Sequence, residues 1–145
     1  MEAFILEALS SLPGGLDVLE RESVSQGFGM IERLRRDWES GANRFDGAGE
    51  ILLSAWQGGR LVGVGGLSRD PYLHDPRIGR VRHVYVLNQE RRTGVGRAIV
   101  RRSLEHAVGH FVTVRLSTGH AQAFYDAIGF CRMDEPDATH GLRVR

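Results

Sequence analysis

Two glycines and two arginines separate a predicted strand from a predicted helix, in the run Arg91-Arg92-Thr93-Gly94-Val95-Gly96. Residues 81–87 before this run are rich in β-branched and aromatic side chains, which is typical of a strand. After it, apolar residues recur at nearly helical spacing up to position 108, with arginines between them, which predicts an amphipathic helix. The chain is therefore organised around a strand, a polar turn and a helix.

The start of that helix has the composition of an anion site. The first N–H groups of a helix lack intrahelical partners, and the helix dipole adds partial positive charge there. Glycine lets a phosphate approach the backbone closely, and arginine adds a planar fork of donors. A Walker loop is excluded because it needs a lysine, and the sequence contains none. Dinucleotide binding is weakly supported, because Ile99 stands where the fingerprint needs a third glycine or alanine.

The rest of the chain alternates short strands with helices. We expect helical structure over residues 16–40, in two segments or with a bend, and over 95–108 and 121–128. Gly58-Gly59 between two apolar runs predicts a hairpin, and residues 68–79, with two Asp-Pro pairs, predict a loop. Strands are expected at residues 4–9, 51–57, 60–67, 81–87 and 111–116, with two more beginning near 130 and 141. This order predicts a mixed α/β fold with a central sheet of about six to seven strands flanked by helices.

Composition limits the classes of function. A length of 145 residues favours one domain over residues 1–145, and a formal net charge of +1 gives no reason to expect nucleic-acid binding. The N-terminus lacks the positive charge of a signal peptide, and no apolar run has the length of a membrane span, so we expect a cytoplasmic protein without membrane contact. The six histidines are scattered, so no metal site is predicted. The one cysteine, Cys131, is expected to be a small core residue.

Two motifs carry a resemblance to a known family. The pattern R-x-x-G-x-G after a strand resembles the acyl-coenzyme A pyrophosphate loop Q/R-x-x-G-x-G/A of the GNAT acetyltransferase superfamily. Residues 118–130 resemble its segment N-x-x-A-x-x-F-Y-x-x-x-G-F, with matches at Ala121, Phe124, Tyr125, Gly129 and Phe130. The sequence departs from the family at Thr118, where asparagine is common, at Asn88 for proline, and at Arg92 for glycine. The order of predicted elements is similar to the GNAT fold along nearly the whole chain.

The resemblance implies an N-acetyltransferase that transfers an acetyl group from acetyl-coenzyme A directly to a primary amine of a small molecule or peptide. It implies that the pantetheine arm pairs with the backbone of Val84, Tyr85 and Val86. It implies that the pyrophosphate lies at the turn formed by Arg91, Arg92, Thr93, Gly94, Val95, Gly96 and Arg97. Tyr125 is the implied general acid for the departing thiolate. His83 and Asp70 are candidate general bases.

Several alternatives stay open at this point. Gly94 and Gly96 are also compatible with a plain tight turn, and Tyr125 with a packing role. A non-catalytic acyl-coenzyme A binding or sensing module would carry the same loop, and an RNA-directed enzyme would be expected to have a more basic face. The sequence leaves open whether the protein forms a homodimer, which amine it accepts, and whether the acyl group is acetyl or longer.

Overall fold

The computed structural model describes residues 3–144, and a single mixed sheet forms its centre. Within that range seven strands form, named β1 (Ile5–Ala8), β2 (Ile51–Gln57), β3 (Arg60–Arg69), β4 (Ile78–Val86), β5 (Thr113–Leu116), β6 (Cys131–Glu135) and β7 (Ala138–Arg143). The helices are α1 (Leu16–Ser25), α2 (Met30–Ser40), α3 (Val95–Ala107) and α4 (Gln122–Ile128). A 3₁₀ turn at Asn88–Glu90 connects β4 to the glycine-containing loop.

The sheet has the strand order β1-β2-β3-β4-β5-β7-β6. Every neighbouring pair is antiparallel except β4 and β5, which run parallel. That parallel pairing covers only residues 78–80 of β4 against 113–115 of β5. The predicted mixed α/β fold with a central sheet of about six to seven strands is thereby confirmed.

The hairpin between β2 and β3 follows its turn signal. Gly58 and Gly59 have φ values of 57° and 78°. A two-residue turn of this hand matches the twist of the flanking strands, and glycine adopts it without steric cost. The predicted hairpin is confirmed.

Glycines in β3 let α3 lie directly on the sheet. A Cβ atom at Gly65 would stand 2.6 Å from Cγ2 of Ile99, which is too close for any side chain. Ile99 is fully buried there, with Val64 and Leu67 of β3 in the same core. The central helix is therefore fixed against the sheet, and its first turn is held beside the end of β4.

Two sequence expectations were wrong. The predicted loop over residues 68–79 is shorter, because Arg69 pairs with Gly79 and the ladder continues beyond the apolar pattern. Cys131 is exposed rather than part of the core. It lies on the outer strand β6, where Phe130 immediately before it takes the buried position. Residue 145, at the end of the last predicted strand, lies outside the described residues.

Candidate active site

A gap opens in the middle of the sheet where β4 and β5 separate. The ladder between β3 and β4 shifts register between Val64 and Gly66, and opposite this shift His83 has φ 61°. A β-bulge bends the strand that carries it, and left-handed φ is costly for a residue with a side chain. Beyond Arg80, β4 has no further pairing with β5. The backbone of residues 81–86 therefore faces an open edge within the sheet.

A cleft of about 570 Å³ occupies this gap. One wall is the connection between α1 and α2 together with α2, and the other is the connection from β5 into α4. Phe28 and His120 stack across these two connections, with ring centroids 4.4 Å apart and an interplanar angle of 11°. The stack bridges the two connections. The residues that line the cleft include Phe28, Arg33, Arg82, His83, Val84, Thr118, His120 and Tyr125.

Free N–H groups lie at the start of α3. The first helical bond runs from the N–H of Ala98 to the carbonyl of Gly94, with N and O 3.0 Å apart. The N–H groups of Val95, Gly96 and Arg97 therefore have no intrahelical acceptor. Gly94 has φ 93°, and no atom would lie within 4 Å of a Cβ there. These donors thus stand at an uncrowded turn, which is the arrangement that binds phosphate.

The backbone of β4 offers donors toward the gap. Leu87 donates its N–H to the carbonyl of Val62 on β3, at 2.9 Å. Because N–H groups alternate in direction along a strand, Tyr85 also faces β3, whereas Val84 and Val86 face the gap. The carbonyl of Val86 accepts a hydrogen bond from Nε of Arg91 at 3.1 Å. An extended chain entering the gap therefore meets the free N–H groups of Val84 and Val86.

The arginines of the loop differ in their surroundings. Besides its bond to Val86, Arg91 donates to Oε1 of Gln26 at 3.2 Å, and its guanidinium lies 5.3 Å from the ring centroid of Tyr85. Arg92 is exposed and has φ 67°, at the position where the family commonly has glycine. The Thr93 hydroxyl donates to the carbonyl of Glu90. Arg91 therefore braces the loop, while the Arg92 side chain is free for a ligand.

Tyr125 presents an unengaged hydroxyl to the cleft. The residue is 8% exposed, and its ring packs edge-on against Phe124 and Phe130. Its hydroxyl makes no hydrogen bond to any other described residue. Burial raises the pKa of the phenol above its usual value, so the proton stays on the oxygen at neutral pH.

A buried histidine behind Tyr125 gave no signal in the sequence. His140 is fully buried; its Nε2 lies 3.0 Å from Oδ1 of Asp126, and its Nδ1 lies 2.8 Å from Oγ1 of Thr139. Thr139 in turn accepts from the N–H of Thr118 at 3.0 Å. This series of hydrogen bonds connects β7 to the start and the middle of α4, and so fixes the helix that carries Tyr125. Its members lie far apart in sequence, so spacing could not have revealed it.

His83 lies in the cleft wall as an unpaired neutral imidazole. It is 6% exposed, and neither ring nitrogen has a hydrogen-bond partner among the described residues. Burial, followed by the charges of Arg82 and Arg33, lowers the pKa of His83 from 6.5 to about 3, and a smaller interaction with the backbone of Met30, which falls short of hydrogen-bond geometry, acts in the opposite direction. A base with such a low pKa captures a proton poorly at neutral pH, which argues against the predicted role of general base.

This low pKa predicts a loss of stability in acid. In the unfolded chain His83 binds a proton below about pH 6.5, whereas in the folded chain it does so only near pH 3. The unfolded state thus binds more protons between these values, so the free energy of unfolding falls as pH is lowered through that window. His83→Gln should reduce this dependence in denaturant titrations from pH 7 to pH 4, whereas His74→Gln, at an exposed position, should not. An unchanged slope in the His83 variant would contradict the assignment.

Asp70 lies beside the site but its carboxylate is already engaged. Its Oδ2 accepts from Nε of Arg115 at 3.0 Å and lies 3.4 Å from Nη1 of Arg80, while Oδ1 accepts from the N–H of Tyr72 at 2.9 Å. The carboxylate is fully buried. Taking up a proton there would break an ion pair, which argues against Asp70 as a general base and for a structural role.

Two further expectations stay predictions. Among residues 3–144, no group of three or more His, Cys, Asp or Glu side chains is placed to hold a metal ion. In the same range, no helix has both the length and the apolar composition needed to cross a bilayer. Neither observation assigns a compartment, so the cytoplasmic location is not tested by the structure.

The comparisons with known proteins agree with this geometry. The model of the family described as "Acetyltransferase (GNAT) domain" matches residues 21–144. No curated protein is significantly similar in sequence. A candidate acetyltransferase from Exiguobacterium sp. 255-15 superposes with a TM-score of 0.89 at 26% identity, over 97% of this chain and 93% of that one.

Two other similar structures contain coenzyme A. The GNAT family N-acetyltransferase YhbS from Escherichia coli, solved with coenzyme A, has a TM-score of 0.75 at 20% identity over 100% of this chain and 83% of its own. An aminoglycoside 6'-N-acetyltransferase complexed with coenzyme A has a TM-score of 0.72 at 14% identity over 97% of each chain. At these identities the likeness shows the shared fold. Because the family match spans most of its length, the chain belongs to the GNAT acetyltransferase domain family and is an acyltransferase.

Proposed function

We propose that the protein is an N-acetyltransferase that moves an acetyl group from acetyl-coenzyme A directly to a primary amine. The observation that carries this proposal is the gap between β4 and β5, with Tyr125 in its wall and the first turn of α3 beside the end of β4, where a Cβ at Gly96 would lie 3.5 Å from Cγ2 of Val86. A covalent acyl carrier is not needed. Cys131, the one cysteine, lies on the outer strand β6, away from the residues that line the cleft.

The residues present fit coenzyme A. Its pantetheine arm would pair with the N–H groups of Val84 and Val86 along the open edge of β4. Its pyrophosphate would lie on the N–H groups of Val95, Gly96 and Arg97, with the Arg92 side chain adding charge. Acetyl-coenzyme A, when bound, would supply the thioester. The thioester carbonyl carbon would form the new C–N bond while the C–S bond breaks, and the electron pair of the C–S bond would stay on sulfur.

Tyr125 is the proposed proton donor to the sulfur. The amine loses one proton in the reaction and the thiolate gains one. The buried phenol keeps its proton at neutral pH, and its hydroxyl has no competing partner among the described residues. A positioned donor of this kind stabilises the charge that develops on the leaving group.

The amine must reach the thioester in its neutral form. Neither His83 nor Asp70 is suited to remove its proton, for the reasons given above. The burial and the arginine charges that keep His83 neutral act in the same direction on an ammonium group bound beside it. We therefore propose that the cleft selects the neutral amine and that water takes the proton.

A non-catalytic acyl-coenzyme A binding module is the second candidate. It would use the same strand edge and the same helix start. The Tyr125 hydroxyl in the cleft wall favours the enzyme, because a binding module has no need of a buried proton donor at that place. Release of free coenzyme A from acetyl-coenzyme A, followed with a thiol reagent in the presence of a panel of amines, tests this. Amine-dependent release supports the enzyme, and tight binding without release by any amine supports the module.

We expect Gly96→Glu to weaken coenzyme A binding by more than about tenfold, because the new side chain enters the place proposed for phosphate and repels it. Calorimetry measures this. Gly96→Ala is the matched control for folding, since a Cβ there would lie 3.4 Å from Cζ of Phe124, an ordinary contact. If the glutamate variant kept its fold and its affinity for coenzyme A, the proposed phosphate site at the start of α3 would be contradicted.

A further inference from the structure

The wall of the cleft formed by α2 and β4 carries unbalanced positive charge. We propose that the acceptor amine also bears an anionic group, a carboxylate or a phosphate, which binds Arg33 and Arg82 at this wall. This inference rests on the proposed acetyl transfer and specifies the class of acceptor. The bulge at His83 and the position of α2 bring the two arginines to one cleft.

Arg82 is a partly buried cation without a close partner. Its side chain is 13% exposed, and the nearest carboxylate is that of Asp37, with Nη2 and Oδ2 3.9 Å apart. The Arg82 guanidinium makes no hydrogen bond within the described range. Burial lowers the pKa of this guanidinium, and the attraction to Asp37, which raises it, is too weak to compensate. A charge removed from water in this way is costly unless a second anion pairs with it.

Arg33 supplies a second set of free donors. It lies on α2 and is exposed, and its guanidinium has neither an ion pair nor a hydrogen bond among the described residues. Its charge acts on both Arg82 and His83. Two guanidinium groups that converge on one cleft form the donor arrangement that recognises carboxylate and phosphate.

The remaining charges of this wall cancel. Arg80 and Arg115 are paired with Asp70, and Arg115 also pairs with Asp137 at 3.0 Å. The charges of these two arginines and two aspartates balance, and the only ion pair that Arg33 or Arg82 forms among the described residues is the 3.9 Å pair of Arg82 with Asp37. A polyamine or another dication would therefore be repelled by the wall, whereas an anionic group would complete it.

His83 adds a neutral group to the same wall. Both of its ring nitrogens are buried without a partner, which is rare for a buried polar side chain. A neutral imidazole offers one donor and one acceptor. It is placed to hydrogen-bond the acceptor beside the two arginines as an uncharged group.

The test compares matched pairs of amines on the full chain with acetyl-coenzyme A. A set of α-amino acids is paired with the corresponding amides, phosphoethanolamine with ethanolamine, and putrescine serves as the dication. The value of kcat/KM comes from thiol release, and direct binding comes from calorimetry on the coenzyme A complex. We expect the anionic member of a pair to be favoured by about tenfold or more in both measurements. The amino acid and phosphate pairs distinguish carboxylate from phosphate.

Arg33→Gln is the variant and Arg36→Gln its control. Arg36 lies on the same helix and is exposed, but it does not line the cleft. Since Arg33 has no partner to lose, neither change should alter the melting temperature or coenzyme A affinity. The preference for the anionic member should fall by about tenfold in Arg33→Gln and persist in Arg36→Gln.

The outcomes separate the two proposals. The proposal of an anionic acceptor would be overturned if the enzyme favoured neutral or cationic amines. It would also be overturned if Arg33→Gln left the preference for the anionic member intact, even if turnover is fast. If no amine releases thiol but calorimetry finds anionic amines bound in an Arg33-dependent way, the anion site stands and the proposed acetyl transfer fails.

Discussion

Tyr125→Phe is expected to lower turnover by at least about tenfold, and by up to the 10²–10⁴ that general acid catalysis typically supplies. The phenylalanine keeps the ring but removes the proton proposed to reach the leaving sulfur. The effect should appear in kcat and in kcat/KM alike, since the lost interaction belongs to the transition state. Steady-state thiol release measures it, once an acceptor is known.

Stability and coenzyme A affinity should change little in this variant. The Tyr125 hydroxyl has no hydrogen-bond partner among the described residues, and the ring contacts with Phe124 and Phe130 are retained. Melting temperature and calorimetry therefore serve as internal controls. Normal turnover would make Tyr125 a packing residue and assign protonation of the thiolate to water.

Tyr85→Phe is the matched control among the three tyrosines. The Tyr85 hydroxyl donates to Oε1 of Glu22 at 2.5 Å, and thereby ties β4 to α1. Removing it should cost stability of about 1.5–3 kcal/mol, the range for a hydrogen bond to a charged group. If both phenylalanine variants lost turnover only in proportion to stability, the case for a proton donor at Tyr125 would end.

Asp70→Ala is expected to destabilise the fold by about 3–5 kcal/mol, because buried Arg80 loses its carboxylate partner and buried Arg115 keeps only Asp137. Asp70 is fully buried. The variant removes it as a partner of Arg80 and Arg115, whose side chains are both 8% exposed. Chemical denaturation measures the change. The readout is the free energy of unfolding of the protein without ligand, so the experiment needs no acceptor.

Asp75→Ala is the control in the same connection between β3 and β4. Its carboxylate pairs with Arg77 at 3.0 Å on the surface, where the Arg77 side chain is 74% exposed, and little change is expected. Asp70→Asn distinguishes a structural role of Asp70 from a catalytic one. A stable asparagine variant that loses activity in a pH-dependent way would restore Asp70 as a base, in conflict with its buried pairing.

Local sequence signals predicted the fold well where residues that are close in sequence also contact each other in the structure. The hairpin at Gly58-Gly59 and the unit of β4, turn and α3 were both correct, since turn chemistry and periodicity decide them. The end of β3 was wrong because pairing of Arg69 with Gly79 overrode a run of polar and Asp-Pro signals. Such pairing depends on contacts that a window of sequence does not contain.

The site was predictable only in part. The position of the loop and of Tyr125 followed from two motifs; Tyr125 lines the gap, and Gly96 lies beside Val86 at the end of β4. The proximity of Arg33 to Arg82 was not predictable, because it depends on how α2 packs against a bulged β4. The bulge at His83 left no pattern in the sequence, since no glycine marks it. Electrostatic features of the cleft therefore emerged only from the three-dimensional arrangement.

The open edge of β4 has a consequence for how the protein behaves without its thioester substrate. Unpaired strand edges normally lie at the rim of a sheet, where they recruit strands from other chains and lead to aggregation. Here the edge lies in the interior of the sheet, and the Phe28–His120 stack bridges the connections on its two sides. The aromatic stack thus stands in the way of a strand that approaches this backbone from another molecule. In the proposed complex, coenzyme A would occupy the place of the missing strand and so block the same pairing.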